Sequence, residues 1–249
     1  MILRSVFVVF LSFSSLFGGV INIAVAANVS YAMPKLIKEF NKFYPDTKVR
    51  VTLGSSGKLT AQINHGAPFG LFMSANMKYP KSLYKHSLAT TKPVIYARGS
   101  LALLSNKKRD FSNGIDLLKD KNIRSIAIAN PKTAPYGKAA IQAIKNANIF
   151  NEIKNKFVYA ESISQTVSYT VTASDVGLIA KSSLYSPNMK QFKKDVNWGE
   201  IDPKLYTPIN QGIVILRYAK SNKEIKAFYD FILSKKAKQI FREFGYILP

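Results

Sequence analysis

The chain has 249 residues, 36 Lys+Arg against 14 Asp+Glu for a formal charge of +22, a 47% hydrophobic fraction and no cysteine. That length suits one large domain or two of ordinary size, and the missing cysteines exclude disulfides, thiolate metal sites, thiol nucleophiles and a lipid-modified N-terminal cysteine. The lysines are spread along the chain rather than gathered in one block, so the charge singles out no partner among nucleic acid, an anionic membrane and a small anion.

The N-terminus reads MILRSVFVVFLSFSSLFGGV. Arg4 supplies a short positive region, Val6 to Phe17 is apolar apart from serines, and small residues follow. This is the layout of a secretory signal peptide over residues 1–19, with cleavage near Ser15 to Gly19. The apolar stretch is shorter than the ~20 residues of a membrane span. Export and a soluble mature protein are therefore expected.

VINIAVAAN, Val20 to Asn28, is a buried-strand pattern ending in a polar residue. In SYAMPKLIKEFNKFYP, Met33, Leu36, Ile37, Phe40 and Phe43 share one helical face. Pro34 fits only a first turn, which puts the helix start near Asn28 to Ser30. KVRVTL reads as a strand, and Ser55-Ser56-Gly57 opens the next helix. GLFMSA, LALLS and SIAIAN are further strands, the last running into the helical PKTAPYGKAAIQAIKNANI with Ala140, Ile141 and Ile144 on its apolar face. SISQTVSYTVTAS has Ile163, Val167 and Val171 at helical spacing, and DVGLIA and GIVIL return as strands. KEIKAFYDFILSKKAKQIFREFGY closes the chain as two helices with Gly245 as the stop. Alternation of strand and helix gives an α/β class with largely parallel sheet, in which ligands bind outside the carboxyl ends of strands.

Four strand-to-helix junctions share a composition: Ala27-Asn28, Ser55-Ser56-Gly57, Pro135-Tyr136-Gly137 and Ser162-Ile163. None contains Lys, Arg, Asp or Glu, although Lys58 and Glu161 lie beside two of them. Helix starts carry unsatisfied N–H donors and a partial positive charge, so several converging on one point would hold an oxyanion by dipoles rather than by a counter-ion. Each junction taken singly is also an ordinary cap or turn, and periodicity does not place them together in space.

AVAANVSYAMPKLIKEF, GSSGKLTAQINHGAP, NPKTAPYGKAAIQAI and AFYDFILSKKAKQIFREFGY resemble, in order and spacing, the periplasmic molybdate-binding proteins of ABC transporters. The resemblance runs from about Val20 to the end of the chain. It implies a periplasmic binding protein of type II: two doubly wound α/β lobes joined by a two-strand hinge, with lobe 1 from residues 20–97 plus 208–249 and lobe 2 from 98–207. The crossings fall near Tyr96 to Gly99 and near Leu205 to Ile209. The ligand implied is molybdate or tungstate, held through its oxygens with no protein atom on the metal. Carried over by motif, Asn28 and Ser56 are side-chain donors, Ser55 is a further candidate, and Tyr136 and Ile163 offer backbone N–H groups. Ala180 stands where some members carry a ligand tyrosine. Gly70 and Asn76 stand where the family commonly has aspartates. The family implies no cofactor, a membrane permease as partner, a monomer and a periplasmic location.

Molybdate at neutral pH is a dianion that accepts hydrogen bonds and donates none, so a donor-only cleft suits it. Hydrogen phosphate would bring a proton without an acceptor, and an unpaired buried polar group is costly. Sulfate matches in charge but is smaller, and a binding protein of the same fold for sulfate is the alternative. Two further classes are an enzyme and a basic module coating nucleic acid or lipid. His65 and His86 lie outside the four junctions, with no metal-spaced cluster. Binding by charge alone would collapse with salt. Trp198, the single tryptophan, either reports lobe closure or is packed.

Overall fold

The computed structural model describes residues 19–248, so the expected signal peptide, Gly19 apart, lies outside the described residues. The chain begins with β1 (Val20–Ala26), a 3-10 turn at Ala27–Val29, α1 (Met33–Phe40), β2 (Lys48–Gly54), α2 (Ser56–Asn64), β3 (Leu71–Ser74), α3 (Lys78–Lys85) and β4 (Val94–Gly99). It continues through β5 (Leu101–Leu104), β6 (Ile126–Ala129), α4 (Pro135–Asn146), α5 (Phe150–Ile153), β7 (Phe157–Ala160), α6 (Ile163–Thr172), β8 (Val176–Ala180) and β9 (Trp198–Glu200). It ends with β10 (Ile209–Ile215), α7 (Lys223–Leu233) and α8 (Lys235–Glu243).

The strands form two five-stranded sheets, ordered β2-β1-β3-β10-β4 and β7-β6-β8-β5-β9, one in each lobe. The sheets are mixed rather than uniformly parallel. β10 runs antiparallel to β3 and β4, and β5 runs antiparallel to β8 and β9. Both reversed strands are entered directly from the other sheet, without the helical crossover that a parallel neighbour requires. The chain leaves the first sheet at Gly99, enters the second at Leu101, and returns between Glu200 and Ile209. The C-terminus is tied to this passage, because Arg98 and Ile247 exchange backbone hydrogen bonds of 2.7 and 2.9 Å.

The inner strands are covered on both faces, which is why they read as apolar runs rather than alternations. In the first lobe Ile21, Ile23 and Val25 of β1 pack with Leu36, Phe40, Phe228 and Phe241 from α1, α7 and α8. Phe40 meets Phe228 edge-on at 5.0 Å, a geometry that adds to area burial. Leu59, Ile63 and Leu83 from α2 and α3 cover the other face. In the second lobe Ala140, Ala143 and Ile144 of α4 lie against Ile126, Ile128 and Leu178.

Two further expectations are corrected, and Trp198 is placed. The first helix starts at Met33, not near Asn28, which sits in the 3-10 turn; Pro34 still falls in the first turn. Phe43 lies beyond that helix and is exposed, so it is not part of the core face. Trp198 is on β9, an edge strand, packed against a cluster that includes Leu104, Val167 and Ile179. That is a packing role, within the second lobe. The stop at Gly245 stands: its φ of +72° is left-handed, where glycine has no steric penalty.

Candidate oxyanion site

α2, α4 and α6 each begin where β2, β6 and β7 end, so three helix starts sit at carboxyl strand ends. They meet the 3-10 turn that follows β1 around a cavity of about 10 Å³. Asn28, Ser55 and Ser56 line it from the first lobe, and Tyr136 and Ile163 line it from the second. All five expected residues are thus in one place, and all five are buried. Ala26, Ala27, Gly54, Ala75, Ala134 and Pro135 complete the wall. No charged side chain lines it.

The two serines do different things. Ser55 is the residue before α2, in extended conformation, yet its side chain makes no capping bond. Its hydroxyl is buried without a partner. Ser56 Oγ accepts the Ala75 N–H at 2.9 Å, which leaves its own proton free to donate. In the second lobe Tyr136 and Ile163 occupy the second and first positions of α4 and α6, where a backbone N–H has no partner inside the helix. Ser162 caps α6, its Oγ accepting the Gln165 N–H at 3.3 Å. Pro135 opens α4 with the N–H-free residue that suits a first position. Three positive helix ends and at least two unclaimed hydroxyl protons therefore point at one small volume.

The lobes touch around this cavity. The Gly57 N–H donates to Thr133 O at 2.9 Å. A Cβ on Gly57 would sit 2.9 Å from that oxygen and 2.7 Å from the Tyr79 hydroxyl, so the glycine serves close approach of the lobes. Ser182 Oγ donates to Asn28 O at 3.2 Å. On the rim, Lys58 Nζ and Glu161 Oε1 pair across the lobes at 2.9 Å.

Behind Asn28 lies a buried polar cluster that the sequence reading missed. Asn28 Nδ2 donates to Gln211 Oε1 at 2.9 Å and to the Tyr246 hydroxyl at 3.0 Å. Gln211 Oε1 also accepts from the Tyr96 hydroxyl at 2.7 Å. Gln211 Nε2 donates to the Tyr136 hydroxyl at 3.1 Å. Asn28 Oδ1 is left buried with no partner. Burial holds the Tyr96 and Tyr136 phenols well above their usual range and pushes Tyr246 up to about 12, so the cluster is neutral. The sequence carries no local signal for it: Gln211 follows Asn210 in INQGIVI, a polar pair ahead of the apolar Ile213-Val214-Ile215 run of β10.

The remaining positions are placed as follows. Ala180 ends β8, buried, and is not part of the cavity wall. Gly70 packs under α7, where a Cβ would lie 2.5 Å from Ile225 Cδ1. Asn76 Oδ1 accepts the Tyr79 N–H at 3.3 Å near the start of α3. His65 and His86 are exposed, each with Nδ1 against a backbone carbonyl one turn earlier. Among the described residues no group of three His, Cys, Asp or Glu is placed to hold a metal ion, and no helix is long and apolar enough to cross a membrane. A larger open groove of about 320 Å³, between Ile63, Leu88 and Tyr218 on the first lobe, contains none of the five residues.

Comparison with known proteins agrees with this architecture. Residues 21–247 match the family of bacterial extracellular solute-binding proteins. The molybdate-binding protein ModA of Azotobacter vinelandii is 33% identical over 230 residues, covering 91% of this chain and 89% of that one. The protein of the same name from Rhodobacter capsulatus is 31% identical over 226 residues, with 90% and 86% covered. Among solved structures, the Azotobacter vinelandii periplasmic molybdate-binding protein superposes with a TM-score of 0.85 at 29% identity, covering 92% of this chain and 99% of that one.

Proposed function

We propose that this chain, which belongs to the bacterial extracellular solute-binding protein family, is the periplasmic component of an ABC importer for molybdate. It captures molybdate or tungstate between its lobes and delivers it to a membrane permease. The observation that carries this reading is a buried, uncharged cavity at three helix starts, walled by serine hydroxyls and first-turn N–H groups. Those donors suit a proton-free dianion, and the relatives named as molybdate-binding support the choice of anion.

In this reading Asn28, Ser55 and Ser56 donate from the first lobe, and the N–H groups of Tyr136 and Ile163 donate from the second. The lobes are taken as 20–97 plus 208–249 and 98–207, hinged at the two crossings. A small cavity walled by buried residues of both lobes is filled by parting and closing them, so ligand entry and hinge motion are one event. The closed form presents both lobes to the permease. The protein works as an exported monomer, its residues 1–19 serving as signal peptide. It holds the metal only through the oxyanion's oxygens, binds no cofactor or nucleic acid, and performs no catalysis.

Thermal unfolding of the mature protein with molybdate, tungstate, sulfate and phosphate at matched ionic strength tests this. Ligand at ~100 times Kd adds about 2.7 kcal/mol, which raises the midpoint of a chain this size by roughly 5–10 °C. A shift with molybdate and tungstate alone is expected. A shift with sulfate alone would change the cargo, and no shift with any of the four would overturn the oxyanion reading.

A further inference from the structure

The Asn28 carboxamide can be turned two ways, and its neighbours constrain both. With Nδ2 committed to Gln211 and Tyr246, the side-chain atom left over is the unpartnered acceptor Oδ1. An acceptor repels a proton-free oxyanion and welcomes one that carries a proton. Turning Asn28 over would offer Nδ2 to the anion instead. That turn would set Oδ1 against Gln211 Oε1, two acceptors within hydrogen-bond distance, unless Gln211 turns with it.

The surroundings of Gln211 accept that joint rotation. With both amides reversed, Gln211 Nε2 donates to Asn28 Oδ1 and to the Tyr96 hydroxyl, and Gln211 Oε1 accepts the Tyr136 proton. Tyr96 then donates to Ser74 O, already 3.4 Å away. Tyr246 turns its proton from Asn28 O to Asn28 Oδ1, while Ser182 Oγ keeps its bond to Asn28 O. Every buried group in the cluster has a partner in the reversed state, Asn28 Oδ1 included, with the anion as the partner of Asn28 Nδ2. Gln211 and the three tyrosines of the cluster are fully or almost fully buried, so water offers no substitute partner.

We propose that Gln211 is a specificity-determining positioning residue: by reversing together with Asn28 it turns the cavity from acceptor to donor, and so selects proton-free oxyanions over protonated ones. This rests on the oxyanion-binding function proposed above. Gln211 touches no ligand itself; it acts through Asn28. The reversal is completed by Tyr136, which belongs to the second lobe, so the donor state is tied to the closed arrangement.

The test is calorimetric titration of the parent, Gln211→Met and Gln211→Glu with molybdate and with phosphate at mildly alkaline pH. Methionine keeps the volume and removes the instruction to Asn28. Glutamate, buried among neutral groups, takes a proton; its O–H can donate to Asn28 Oδ1 while its other oxygen accepts, so it keeps the reversed state open. A hydrogen bond to a charged group is worth about 10- to 100-fold in affinity. Gln211→Met should lose about tenfold for molybdate, with a fall in the molybdate-to-phosphate ratio, while Gln211→Glu should stay within about threefold of the parent in affinity and keep the ratio. The side-chain amide resonances of Asn28 and Gln211 in the parent should both shift on molybdate addition. Equal losses for both anions, with the ratio unchanged, would make Gln211 a merely structural residue and overturn the proposal. Unchanged molybdate affinity in both variants would do the same. A parent that itself ignores molybdate would overturn the molybdate function and this inference with it, an outcome separate from those two.

Discussion

The two lobes reach the cavity by different means. Besides the start of α2, the first lobe brings side chains: the Ser55 and Ser56 hydroxyls and the Asn28 carboxamide. The second brings backbone, the first-turn N–H groups at Tyr136 and Ile163. A side-chain donor is lost by one substitution. A backbone donor survives almost any substitution and is lost only when the N–H itself is removed. On the proposed reading, function on the first lobe is therefore written largely in residue identity, and on the second in the geometry of helix starts.

The largest expected effect falls on the first lobe. Ser56→Ala removes a donor and also strands the buried Ala75 N–H, so molybdate affinity should fall about 100-fold by titration calorimetry. Next comes Ile163→Pro. Proline is accepted at a first helical position, and Ser162 already has the extended backbone that a following proline requires. The variant deletes one N–H while keeping α6, and should lose about 10- to 100-fold. Ile163→Val is the control, since it keeps the N–H; affinity should stay within about twofold. If Val costs as much as Pro, the second lobe also works through its side chains and the contrast fails.

The smallest effect is that of pH. Burial keeps the phenols of Tyr96 and Tyr136 well above their ordinary range and Tyr246 at about 12. They stay protonated through neutral pH, so molybdate affinity should be flat from roughly pH 6 to 9. Because the folded tyrosines hold their protons more tightly than the unfolded chain does, their share of stability is intact below the ordinary value of 10.0 and is lost as pH climbs toward about 12. Thermal midpoints measured across that window should fall.

Legibility divided along the same line as function. Strands β1, β6 and β8 are covered on both faces, so their apolar runs announced them. Residues 78–85 and 198–200 carried no such run, and 157–160 went unread although FVYA is apolar. The first holds polar residues around Pro80, the second has three residues, and the third is an edge strand with Val158 and Tyr159 exposed. The serines and the junction at Tyr136 were readable as helix starts because caps and prolines mark helix beginnings. Asn28 was placed in the wrong element, since a 3-10 turn leaves no periodicity to read. Gln211 and its tyrosines were invisible because the cluster joins residues 28, 96, 136, 211 and 246. No local pattern records contacts that far apart in sequence.

The most direct test is a crystal structure of the mature protein with molybdate, the metal located by its anomalous scattering. The account predicts the metal between Ser56 and Ile163, its oxygens taking bonds from Ser55, Ser56, the Asn28 Nδ2 and the N–H groups of Tyr136 and Ile163, with no charged side chain in contact. A metal found elsewhere, or one held by Lys or Arg, would contradict it.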